Sequence, residues 1–187
     1  MSPVRNTHEL RIKAVGQFCN DLPRLRVTLD GKVVHDGTVE KLDLLIELPR
    51  TACVLTLEHY DKRFGENRRW DTRSENDAIV QDRLIALQDI SLDGISMMQS
   101  LHKLKFHQNP VSGEPIIGDA EFLGTFNFNG SVNFDMSPNP MNWLINLLHK
   151  QELKDVSYFS DYSKLYHYEN ERKLIAEIGS VIDEIKI

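Results

Sequence analysis

Few features of this 187-residue chain stand out, and several familiar ones are missing. No apolar run approaches the roughly 20 residues that a helical membrane span needs. The opening "MSPVRNTHELRIK" lacks the apolar stretch of a secretion signal, so a chain made and kept without export is expected. There are two cysteines, Cys19 and Cys53, too few for a disulfide scaffold; each sits in or beside a strand-like stretch and reads as a reduced, buried thiol. Excess positive charge is also missing. Lys and Arg number 22 against 28 Asp and Glu, the net charge is −6, and the isoelectric point is near 5.6. That balance argues against phosphate-backbone binding as the main business and leaves room for cations.

The motifs of common chemistry are absent as well. There is no glycine-rich phosphate loop, no nucleophile elbow, no paired-histidine helix and no cysteine pair spaced for zinc. The seven histidines are scattered. A non-enzymatic protein is therefore expected. Hydrophobic residues at 41% and charged residues at 27% are ordinary globular chemistry, which excludes wholesale disorder.

What is present is strand signal, from the start to about Asp135. In "HELRIKAVG", Leu10, Ile12 and Ala14 alternate with Arg11 and Lys13. In "RLRVTLDGKVVHDG", Leu25, Val27 and Leu29 share one face, and Asp30-Gly31 supplies a two-residue turn because glycine accepts positive φ. "KLDLLIELP" and "ACVLTLEHY" follow, parted by Pro49. "RLIALQDISLDGISM" resumes the strands, with a second tight turn at Asp93-Gly94. "EFLGTFNFNGSVNFDM" reads as a hairpin turning at Asn129-Gly130, with Phe126 and Phe128 on one arm and Val132, Phe134 and Met136 on the other. Many short strands with turns between them predict an antiparallel β-sandwich, jelly-roll-like, over 1–137.

Between the strand-like stretches ending at Tyr60 and beginning near Leu84 lies a long polar loop. Asp61, Asp71, Glu75, Asp77 and Asp82 are interspersed with Arg63, Arg68, Arg69 and Arg73. Calcium needs six or more oxygen ligands, and a strand-flanked loop can converge carboxylates. Asp77 and Asp82 are the candidate ligands, with ion pairing to the arginines as the competing fate. Trp70 is an aromatic in polar company, able to stack on a sugar, seat in another subunit or tuck under its own loop. With His59, Tyr60 and Arg83 it makes up the candidate contact set.

Two resemblances bear on this region. "DRLIALQDISLDGI", Asp82 to Ile95, resembles a segment of calcium-dependent xylan-binding modules. Those are β-sandwiches, and the likeness implies sugar binding through a loop-held calcium. "LEHYDK", "IVQDRLIALQDISLDGI" and "FLGTFNFNGSVNFDMSPNPMNWL" are similar to segments of structural proteins of tailed bacteriophages, across roughly residues 25 to 148. That likeness implies a virion subunit of the tail or baseplate region, partnered by other virion proteins or by itself.

From residue 138 a C-terminal helical extension is expected, to 187. Asn139 can cap a helix that starts at Pro140 and carries Trp143, Leu144, Leu147 and Leu148 as a stripe. In "NERKLIAEIGSVIDEIKI", Leu174, Ile175, Ile178, Val181, Ile182 and Ile185 share one helical face and form the candidate assembly interface. The leading expectation is a non-enzymatic phage structural subunit; the alternative is a carbohydrate-binding module for host surface glycan, with or without calcium.

Overall fold

The computed structural model describes residues 6–63, 68–71, 78–111 and 116–149. The chain divides into two compact units, Met1–Leu148 and His149–Ile187. The second unit, with the expected stripe from Leu174 to Ile185, lies outside the described residues apart from His149.

Among the described residues, the first unit holds thirteen strands and one α-helix. The strands are β1 (Thr7–Gln17), β2 (Arg24–Leu29), β3 (Lys32–Thr38), β4 (Lys41–Pro49), β5 (Cys53–Tyr60), β6 (Arg68–Asp71), β7 (Ala78–Asp82), β8 (Leu84–Leu92), β9 (Ile95–Ser96), β10 (Lys105–Gln108), β11 (Ala120–Glu121), β12 (Thr125–Phe126) and β13 (Gly130–Met136). Helix α1 spans Pro140–His149, and a 3-10 helix spans Met98–Lys103. One sheet runs β12-β8-β1-β4, with β9 on β8; the other runs β11-β10-β13-β5-β2-β3. All pairs are antiparallel.

Period-two alternation builds the core. Leu10, Ile12 and Ala14 from one sheet and Leu25, Val27, Leu55 and Leu57 from the other join a single buried cluster. Phe126 and Phe134 are fully buried in it, while Leu29 and Phe128 pack partly buried against it. The expected antiparallel sandwich is the architecture seen. Cys19 and Cys53 are both buried and in the reduced form.

Both Asp-Gly turns form as read. Asp30 and Gly31 have φ of 48° and 75°, and Asp93 and Gly94 have 48° and 84°, the all-positive pattern of a type I′ turn. Each aspartate also reaches the neighbouring strand. Asp30 Oδ1 accepts the Val54 N–H at 2.8 Å. Asp93 Oδ1 accepts the Glu9 N–H at 2.7 Å, and its Oδ2 meets His8 Nδ1 at 2.6 Å. Each turn is thereby tied to a strand outside its own hairpin.

The expected hairpin at Asn129-Gly130 does not form. β12 pairs with β8 in one sheet, whereas β13 pairs with β5 and β10 in the other. Residues 127–129 therefore carry the chain between the sheets. Gly130 is required for space rather than for a turn: a Cβ there would lie 2.4 Å from the His107 carbonyl oxygen and 2.4 Å from the Phe106 ring. The periodic signal on both arms was sound, but alternation reports which face is buried and not which sheet a strand joins.

The helix begins as predicted, with Asn139 Oδ1 accepting the Asn142 N–H at 2.9 Å. Leu144 and Leu147 are buried, and the Trp143 ring sits 6.0 Å from that of Phe134. Residues 140–148 of α1 fall within the first compact unit.

Candidate functional site: the root of the 61–83 excursion

The polar segment between β5 and β8 is not one continuous loop. β6 and β7 pair as a two-stranded antiparallel ribbon, with Arg68 opposite Asp82 and Trp70 opposite Ile79. Trp70 lies on β6, and its side chain falls outside the described set. Asp77 and Glu75 lie outside the described residues altogether.

At the root of this excursion is a cluster of buried polar side chains. His59 is fully buried, Lys62 is 1% exposed, Arg83 is 2% exposed, and Asn129 is 3% exposed. Strand parity puts the two ends there. His59 continues the inward series Cys53, Leu55, Leu57 on β5, and Arg83 precedes the inward Ile85 by two residues. Lys62 Nζ lies 2.7 Å from Asp82 Oδ1 and also donates to the Asn127 carbonyl. Asn129 grips the Lys62 backbone from both sides: its Oδ1 accepts the Lys62 N–H at 2.8 Å, and its Nδ2 donates to the Lys62 carbonyl at 2.7 Å.

Arg83 closes the other side. Its Nη1 donates to Asp21 Oδ2 at 3.0 Å, and its Nη2 donates to the carbonyls of Tyr60 and Asp61. Those carbonyls sit where the chain leaves β5, and Asp61 turns there with φ of 63°. A planar guanidinium suits this fork, because it can serve a carboxylate and backbone oxygens together. Gln81 of β7 donates to the Phe18 carbonyl at 2.8 Å, tying the ribbon to the segment after β1.

His59 stays neutral in this setting. Burial pushes its pKa down to about 4, partly opposed by the Nδ1 contact with the Phe128 carbonyl at 3.0 Å and reinforced by Lys62 and Arg83 nearby. Its Nε2 has no hydrogen-bond partner among the described residues.

The expected contact set is therefore split. His59 and Arg83 are buried and face inward at the root. Tyr60 points to the solvent face of its sheet, where its hydroxyl donates to Asp36 and the guanidinium groups of Arg26 and Arg24 lie 4.6 and 5.2 Å from the ring centroid. Asp82, the candidate calcium ligand, has its carboxylate turned to the Lys62 ammonium. A calcium ion there would have to displace a buried cation, so Asp82 does not fit as a metal ligand in this arrangement. No three metal-donor side chains converge among the described residues. Lys62 and Asn129 were not singled out in the sequence. Asn129 was assigned to a turn, and nothing local marks Lys62 as buried.

No protein-family model matches the chain, and no curated protein matches it. Among solved structures it is similar to vCBM60 in complex with galactobiose, at 11% identity and a TM-score of 0.44, covering 68% of this chain and 97% of that one. It is similar also to the selenomethionine form of vCBM60, described with a circular permutation linking two families of calcium-dependent carbohydrate binding modules, at the same identity and TM-score, covering 68% of this chain and 90% of that one. At this distance the likeness leaves the ligand to be argued from the chain's own residues.

Proposed function

We propose that the chain is a non-catalytic binding module in which the sandwich is a scaffold, the 61–83 excursion is the recognition element, and the ligand is a surface glycan. The buried root carries this reading. An ion pair such as Lys62–Asp82 adds little stability over well-packed apolar residues, so its value is explained by what it fixes. What Lys62, Asp82, Arg83 and Asn129 fix is the direction in which the excursion leaves the body. A pyranose needs a stacking surface for its apolar face and planar hydrogen-bonding groups for its hydroxyls. The excursion supplies Trp70 among arginines and carboxylates. Calcium enters this reading only through the excursion's other acids, Asp61, Glu66, Asp71, Glu75 and Asp77.

The test is calorimetric titration of the full chain with plant and bacterial surface polysaccharides, with and without chelator. Saturable binding that Trp70→Ala abolishes supports the reading. No binding to any polysaccharide overturns it. Loss of binding in chelator would add calcium to the site, and its persistence would remove calcium.

A second reading, a structural subunit of a tailed-phage particle, has one observation in its favour. The segment 149–187 carries the aliphatic stripe from Leu174 to Ile185 at helical spacing, an apolar face of the kind that serves assembly. In this reading the chain resides in the virion, and deleting 149–187 abolishes incorporation into particles while glycan binding is irrelevant to assembly.

A further inference from the structure

β4 is the last strand of its sheet: β1 pairs with one of its edges, and no described strand pairs with the other. At nine residues it is long for an open edge, since edges are usually short, bulged or covered. Lys41, Asp43, Leu45 and Glu47 point outward, and Leu42, Leu44, Ile46 and Leu48 point toward the core. The row is incompletely covered. Leu45 is 58% exposed, and Leu42 and Leu44 are only half-buried.

Its charges are unequally served. Asp43 is held by Arg11 at 2.8 and 2.6 Å. Lys41 and Glu47 form no ion pair among the described residues, and Glu47 lies directly opposite Glu9 of β1, a like-charge placement.

We infer that two copies of this chain associate by antiparallel pairing of their β4 edges about a two-fold axis at Leu44. With the axis there, Lys41 of each copy faces Glu47 of the other, Leu42 faces Ile46, Leu44 faces its own counterpart, and Asp43 faces Leu45. Opposite charges meet twice on the outer face, and aliphatic side chains meet along the inner face. Neighbouring registers fail: an axis at Asp43 sets the two Asp43 side chains against each other, and an axis at Leu45 sets Asp43 against Glu47. An axis between residues would put outward side chains against inward ones. The charge pattern thus selects one register and one occupant, a second copy. The inference does not depend on what the 61–83 excursion binds.

Sedimentation equilibrium on the full chain, from about 10 to about 300 µM, tests it, since a contact of this small size implies weak association. A monomer–dimer equilibrium is expected within that range, weakening as salt rises. Glu47→Lys and Lys41→Glu each turn two attractive pairs repulsive and should weaken the dimer about tenfold or more. The Lys41→Glu/Glu47→Lys double variant swaps the charges and should restore it. Circular dichroism confirms the fold of each, and the two single variants sit at opposite ends of the strand, so one reports if the other fails to fold. A chain monomeric throughout, single variants that associate like the parent, or a double variant that stays dissociated would each overturn the inference.

Discussion

Lys62 and Asp82 show how a buried charge is tolerated at the root of the excursion: each is nearly solvent-free, and each neutralises the other at 2.7 Å. Removing one partner leaves the other buried without that counter-charge. Lys62→Met should destabilise the chain by roughly 3–5 kcal/mol in urea unfolding, and Lys62→Met/Asp82→Leu should recover much of the loss. A double variant no better than the single would show that the pair is not the relevant coupling. His59 gives a pH dependence of definite sign. Its folded pKa is about 4, below the unfolded value near 6.5. Between those values the unfolded chain binds the extra proton, so stability is complete above about pH 6.5 and falls as pH drops toward 4. The loss amounts to roughly 3 kcal/mol, and His59→Gln should flatten that part of the stability profile. The inward parity of His59 was legible, since it follows Cys53, Leu55 and Leu57 at intervals of two. Its neighbours Lys62 and Asn129 were not, because they are 67 residues apart and only the fold joins them.

At the scale of elements, two glycines separate the kinds of information a sequence carries. Gly31 occupies a left-handed turn position with φ of 75° and open space around it. Gly31→Ala should cost about 1–2 kcal/mol from backbone strain alone. Gly130 has no such φ, yet an added Cβ would collide with the His107 carbonyl and the Phe106 ring. Gly130→Ala should cost more than Gly31→Ala and should perturb the pairing of β10 with β13, visible as lost amide protection at Phe106 and His107. Equal costs would contradict this division. The first glycine was readable from Asp30-Gly31 between alternating runs. The second was misread as a turn, because the requirement comes from a ring on another strand. The ribbon of β6 and β7 was hidden too, because β6 is four residues, three of them charged, and β7 is a short apolar run without alternation.

For the whole molecule, the boundary after Leu148 has a direct consequence. A chain truncated at 148 should keep the β-sheet circular dichroism of the parent and unfold cooperatively. Truncation at 137 should not, because it removes Leu144 and Leu147 from the core and Trp143 from beside Phe134. If the longer truncation behaves like the shorter, α1 is no part of the folding unit. The sequence by itself determined the strand class, the two Asp-Gly turns, the helix start at Asn139 and most of the core, because each depends on local periodicity or on one residue's backbone preference. Only the tertiary structure decided that Phe126 and Phe134 come from opposite sheets, that Asp82 answers a lysine, that Arg83 turns inward, and that β4 is left as an edge among the described residues. Those outcomes depend on which distant strands meet, and no local pattern in one chain encodes a partner 20 to 80 residues away.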